Sequence, residues 1–132
     1  MGRWQTIETS PKVICDTGHN VGGISYIVEQ LKHETYKHLH IVIGMVNDKD
    51  ISGVLSLLPK DAYYYFTQAS VKRALPADEM AQKAYAANLQ GGYYDNVQTA
   101  LEAAKAKADK DDLIFVGGSS FIVADLLTFY SK

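Results

Sequence analysis

Asp16, Thr17, Gly18, His19 and Asn20 directly follow the apolar run Val13-Ile14-Cys15. Beyond them Ile24, Ile27, Val28 and Leu31 recur at i, i+3, i+4 and i+7, one face of a helix. The stretch therefore predicts a buried strand, a tight polar turn and an amphipathic helix, with Asn20 placed to cap it. Ligands of open α/β sheets sit outside the carboxyl ends of the strands. An acid and an imidazole at such an end are the first place to look for chemistry.

Lys49 is the next residue of interest. The polar turn Met45–Asp50 precedes a helical pattern at Ile51, Val54, Leu55 and Leu58, which Pro59 closes, and Asp50 is its natural N-cap. A cation at a helix start opposes the macrodipole. A ligand or partner carboxylate would answer that mismatch; a merely exposed lysine would need no answer. Ser119 lies in a third polar turn, Gly118-Ser119-Ser120, after the apolar run Leu113–Gly117. Cys15 reads as a small buried hydrophobe. His33, His38 and His40 have no carboxylate or cysteine at useful metal spacing, so a solvated edge is expected for them.

The elements that must position these residues alternate along the chain. Trp4–Thr9 has the apolar/polar alternation of a strand, and Ser10-Pro11 breaks it. Strands are predicted at Lys12–Asp16, His38–Gly44, Ala62–Thr67 and Leu113–Gly117, with a short one at Gly91–Tyr94. Helices are predicted from Asn20 to about Thr35, from Asp50 to Leu58 and from Ala77 to Asn88. Two more run from the Asp95-Asn96 cap to Lys107 and from Phe121 to Tyr130. Such alternation predicts a mostly parallel sheet covered on both faces. The turns at Asp16–Asn20, Asn47–Asp50, Gln68–Ser70 and Gly117–Ser120 all follow strands, so they belong on one edge.

Composition narrows the possibilities. The chain has 132 residues, 47% hydrophobic and 21% charged, enough for one real core. A formal net charge of −2 argues against a nucleic-acid or anionic-membrane surface. The single cysteine permits no internal disulfide and suits a reducing compartment. No apolar run approaches the ~20 residues of a membrane span, and no signal peptide opens the chain, so a cytoplasmic protein is expected. Gly18, Gly22 and Gly23 do not fit G-x-G-x-x-G, and no Walker A pattern occurs. No Ser-His-acid arrangement is specific enough to name a hydrolase. The residues alone describe a polar ligand-binding edge with an acid, a histidine, a lysine and a serine, short of a complete catalytic kit.

Four ordered motifs carry a resemblance: Gly2-Arg3-Trp4, Asp16-Thr17-Gly18-His19-Asn20, Asp48-Lys49-Asp50 and Gly118-Ser119. They resemble G-R-[FLW], D-[GT]-[AG]-H-N, D-K-D and G-S of the C-terminal domain of folylpolyglutamate synthetase/dihydrofolate synthetase, in the Mur ligase superfamily. The resemblance covers nearly the whole chain. It implies a Rossmann-like three-layer α/β sandwich, mostly parallel with one antiparallel strand, for which Trp4–Thr9 is the candidate.

The resemblance also implies a reaction. A central P-loop domain, not present in this sequence, binds ATP and Mg²⁺ and phosphorylates a carboxylate of a folate or dihydropteroate. The amine of glutamate then attacks the acyl phosphate. By the same resemblance Arg3 and His19 are the catalytic candidates, with Arg3, Asp16 and His19 at ATP and Lys49 and Ser119 at glutamate. No metal ligand and no bound cofactor are expected within residues 1–132, which would form one domain excised at the interdomain hinge and inactive alone. Alternatives are a domain of another Mur-type amino-acid ligase and a free-standing nucleotide- or phosphate-binding module.

Overall fold

A strand-forming tendency concentrated in Val, Ile, Tyr and Phe, set between amphipathic helical segments, gives six strands and five helices in the computed structural model, which describes residues 4–47 and 50–131. The strands are β1 (Gln5–Thr9), β2 (Lys12–Asp16), β3 (Leu39–Ile43), β4 (Tyr63–Phe66), β5 (Gly91–Tyr93) and β6 (Leu113–Gly117). The helices are α1 (Val21–Lys32), α2 (Ile51–Leu57), α3 (Ala77–Ala86), α4 (Val97–Lys107) and α5 (Ser120–Tyr130). Among the expected site residues, Arg3 and Lys49 lie outside the described residues.

The strand order is β1-β2-β6-β3-β4-β5. β1 pairs antiparallel with β2, and every other pairing between the described strands is parallel, so the Trp4–Thr9 segment supplies the one reversed strand among the described residues. Steps from β2 to β5 progress in one direction and place α1, α2 and α3 on one face. The return from β5 to β6 places α4 on the other face, joined by α5. Right-handed crossovers require this segregation. Strand alternation divides the core accordingly. Ile14, Ile41, Ile43, Tyr64, Phe66 and Phe115 face α1–α3, while Val13, Cys15, Val42, Tyr65, Ile114 and Val116 face α4–α5. Cys15 is fully buried and burial, followed by the neighbouring Asp16 charge, pushes its thiol up to about 11, which suits an inert packing residue.

Caps settle the helix boundaries. Asn20 Oδ1 accepts from Gly23 N at 2.9 Å, and Asn96 Oδ1 accepts from Thr99 N at 2.8 Å. Asp50 occupies the N-cap position of α2, yet its side chain makes no capping bond there. α1 stops at Lys32, three residues short of expectation, because the amides of His33 and Glu34 turn back to Gln30 and Leu31 in a tightened last turn. α3 ends at Ala86 because Asn88 adopts φ 66°, a left-handed conformation that terminates helices.

The solvated-edge expectation fails for His40. It is buried at 1% exposure, with Nε2 2.8 Å from Asp112 Oδ2 and Nδ1 2.8 Å from the Tyr65 hydroxyl. Asp112 also accepts from the amides of Asp109 (3.0 Å) and His38 (3.2 Å) and lies 3.5 Å from His38 Nδ1. The carboxylate that spacing did not reveal arrives from a turn 72 residues away. His38 itself stays on the surface. Among the described residues, no group of three His, Cys, Asp or Glu side chains is arranged to hold a metal.

The sequence enters β1 through a second buried carboxylate. Asp16 is 1% exposed and accepts from Trp4 N and Gly18 N, both at 2.8 Å. The Trp4 ring stacks on Phe115, with centroids 6.0 Å apart. Glu8 fixes the other end of β1, accepting from Lys105 Nζ at 2.7 Å and from the Tyr130 hydroxyl.

Two stability predictions follow from these carboxylates. Burial alone would raise the Asp112 carboxyl, but bonds from His40, the Asp109 amide and the His38 amide outweigh it and hold the group below its ordinary range. A depressed native value means its stabilisation is present above the unfolded carboxyl range and is lost as pH falls through the native value. Asp112→Asn should therefore cost about 1–3 kcal/mol in denaturant titrations at neutral pH, with the gap to wild type closing in acid. A pH-independent gap would contradict the assignment. Asp16→Ala should cost a similar amount and red-shift the emission of Trp4, the sole tryptophan, by releasing its amide; unchanged fluorescence would show that the bond does not hold Trp4.

Candidate functional site

The parallel registers bring five strand ends into one row. Asp16 is level with Gly117, Gly117 with Ile43, Ile43 with Phe66 and Phe66 with Tyr93. The segments leaving β2, β6, β3 and β4 therefore emerge side by side, as the strand–helix alternation predicts. Loops from β2 and β3 go to the α1–α3 face, whereas the loop from β6 between them goes to the α4–α5 face. Such divergence opens a crevice at the carboxyl edge.

Two concavities occupy it. One, of about 320 Å³, is lined by Thr17, Gly18, His19, Asn20 and Gly23 at the start of α1. Its floor is backbone on backbone: a Cβ on Gly18 would lie 3.1 Å from the carbonyl of Gly23, and one on Gly23 3.0 Å from Gly18 Cα. A side chain at either position would push the turn and the helix a few tenths of an ångström apart. The other, of about 220 Å³, is lined by His19, Val46, Arg73, Ser119, Ser120 and Phe121. His19 borders both. Its ring is exposed, with Nδ1 3.5 Å from the Thr17 carbonyl, so the imidazole is not consumed by the core.

Ser119 is 2% exposed, and its Oγ caps α5 by accepting from Ile122 N at 3.2 Å. That bond uses a lone pair and leaves the hydroxyl proton free to donate. Asp16 is close by in sequence, but its carboxylate is turned inward to the two amides already described. It shapes the turn that presents His19. The structure thus brings His19 and Ser119 into one cleft, with Asp16 behind the first.

Arg73 is the cleft residue that sequence reasoning passed over, as one position in the loop after β4. Two backbone hydrogen bonds, which together make one bridge, hold its loop there. Val46 and Ala74 form an antiparallel bridge, Asn47 N donates to Arg73 O at 2.8 Å, and Leu75 N donates to Met45 O at 2.8 Å. These pairings join residues 26–30 positions apart, and no local spacing in the sequence signals them. The polar turn at Gln68–Ser70, by contrast, is spent on support. Gln68 Oε1 accepts from Ala77 N at 2.7 Å, and Ser70 donates to Asp125 through its amide (2.9 Å) and hydroxyl (3.0 Å).

Comparison with known proteins agrees with this geometry. Residues 2–120 match the family profile for the Mur ligase, glutamate ligase domain. The dihydrofolate synthase/folylpolyglutamate synthase of Buchnera aphidicola subsp. Schizaphis graminum is 30% identical over 99% of this chain, which spans only 31% of that relative. The structure of Escherichia coli FolC in complex with DHPP and ADP superposes with a TM-score of 0.89 at 30% identity, covering 98% of this chain and 31% of that one. A bifunctional folylpolyglutamate synthase/dihydrofolate synthase with Mn, AMPPNP and L-glutamate bound also reaches 0.89, at 28% identity over 99% of this chain and 32% of that one. The chain therefore belongs to the Mur ligase family and has the fold of its C-terminal, glutamate ligase domain.

Proposed function

We propose that residues 1–132 form the C-terminal domain of a longer ATP-dependent ligase that joins glutamate to a carboxylate of a folate or dihydropteroate. The observation that carries this reading is the convergence of His19, Ser119 and Arg73 on one cleft at the carboxyl edge of a family domain whose relatives are folate ligases. The cleft adjoins the backbone-lined turn at Gly18 and Gly23, a shape suited to phosphate oxygens at the start of α1.

In the complete enzyme, ATP lies between this turn and the P-loop domain, and the substrate carboxylate becomes an acyl phosphate. His19 faces the phosphates from the boundary of the two concavities. Asp16 holds the Gly18 turn in place. Arg3 reaches the phosphates as charge develops during transfer. The glutamate amine attacks the acyl carbon, phosphate departs and an amide forms, with Lys49 and Ser119 at the incoming amino acid. In this reading the ligands of Mg²⁺ come from the P-loop domain and the phosphates of ATP. No helix among the described residues is long and apolar enough to cross a membrane, and the buried, free Cys15 suits the cytoplasm.

In the full-length protein, ADP release should require both glutamate and the folate substrate, whereas residues 1–132 alone should give no turnover. Lys49→Ala should raise the glutamate KM about ten- to a hundred-fold, and Arg3→Ala should act mainly on ATP use. Steady-state kinetics with ATP, glutamate and pteroate substrates decide the matter. Turnover by the isolated domain, or dependence on an amino acid other than glutamate, would overturn the proposal.

A further inference from the structure

We infer that Arg73 binds the side-chain carboxylate of the incoming amino acid and so selects a dicarboxylic substrate. The inference rests on the proposed ligase function. Arg73 lines the 220 Å³ cleft opposite His19, and among the described residues it forms no ion pair with a carboxylate. Its backbone is fixed by the Val46–Ala74 bridge, whose two hydrogen bonds are 2.8 Å each. A guanidinium on a fixed backbone, open to a cleft, presents two parallel N–H donors that match a carboxylate.

Strand order orients the substrate. His19 follows β2, Ser119 and Ser120 follow β6, Val46 follows β3 and Arg73 follows β4, so the cleft runs in that sequence along the edge. The phosphate-facing turn is at the β2 end. The attacking amine must lie toward that end, and its adjacent α-carboxylate beside the hydroxyls of Ser119 and Ser120. The side chain then extends past Val46 toward β4, and its terminal carboxylate meets Arg73. Val46 and Phe121 border the path with apolar surface suited to the two methylenes.

Lining residues that accept the γ-carboxylate by charge-assisted bonding should discriminate sharply against an amide in its place. The test is kinetic, on the full-length enzyme with Arg73→Ala and Arg73→Lys, using glutamate and glutamine as acceptors. Arg73→Ala should raise the glutamate KM about ten- to a hundred-fold, leave the ATP KM within about two-fold, and lower the glutamate-over-glutamine preference about ten-fold or more. Arg73→Lys should fall between, because a point charge replaces the fork. Because Arg73 is exposed, thermal unfolding should be unchanged, which separates lost binding from misfolding. An Arg73→Ala variant with wild-type glutamate KM and preference overturns the inference, as does an effect confined to ATP. Wild-type recovery in Arg73→Lys overturns the two-donor geometry. Absence of glutamate-dependent ADP release in the wild-type enzyme would instead overturn the proposed function on which the inference stands.

Discussion

The carboxyl edge depends on how closely three chain segments pass one another just beyond their strands. Gly118 sits at φ 103°, where a Cβ would lie 2.3 Å from the Gly44 carbonyl; a Cβ on Gly44 would lie 2.6 Å from the Thr67 carbonyl. Neither position can carry a side chain without moving backbone. The hydrogen-bond ladder consequently continues past the strands, from Gly44 N to Gly117 O at 3.3 Å and from Thr67 N to Ile43 O at 2.9 Å. The loops that follow start from a rigid platform. Ser119 at the α5 cap and Arg73 in its bridged loop inherit their positions from it.

Around that platform the polar groups divide into supports and contacts. Asp16, Gln68 and Asp125 spend their oxygens on backbone amides or the Ser70 hydroxyl, and Asp112 and Glu8 anchor the amino edge and β1. His19, Ser119 and Arg73 are left lining the cleft. A buried carboxylate bonded to two amides is a positioning device, since both its oxygens are already engaged. An exposed imidazole and a guanidinium that has no ion-pair partner among the described residues remain available to a ligand.

Local signals in the sequence were sufficient wherever a residue's role is settled by near neighbours. The caps at Asn20 and Asn96, the inert Cys15 and the shared edge of the strand-following turns all follow from periodicity and turn chemistry. The reversed β1 came from the family resemblance, because alternation in Trp4–Thr9 identifies a strand but not its direction. His40 and Arg73 escaped for one reason: their partners come from remote chain. Asp112 is 72 residues from His40, and the Val46–Ala74 bridge that fixes Arg73 joins two loops across a whole helix and strand. Asp50 shows the converse, a residue with the right type and place for a cap whose side chain does not make the bond.

The strand order carries a consequence for how the molecule comes into being. β6, the last strand in the chain, lies between β2 and β3 near the middle of the sheet. Until residues 113–117 arrive, the β1–β2 pair and the β3–β4–β5 group have no direct pairing with each other. Both present an open inner edge of unpaired N–H and C=O groups, a template for wrong association. Closure of the sheet therefore depends on contacts distant in sequence, the kind of topology that folds slowly. The same insertion completes the row of strand ends on which the cleft is built, so a chain lacking β6 would lack both its sheet and its site.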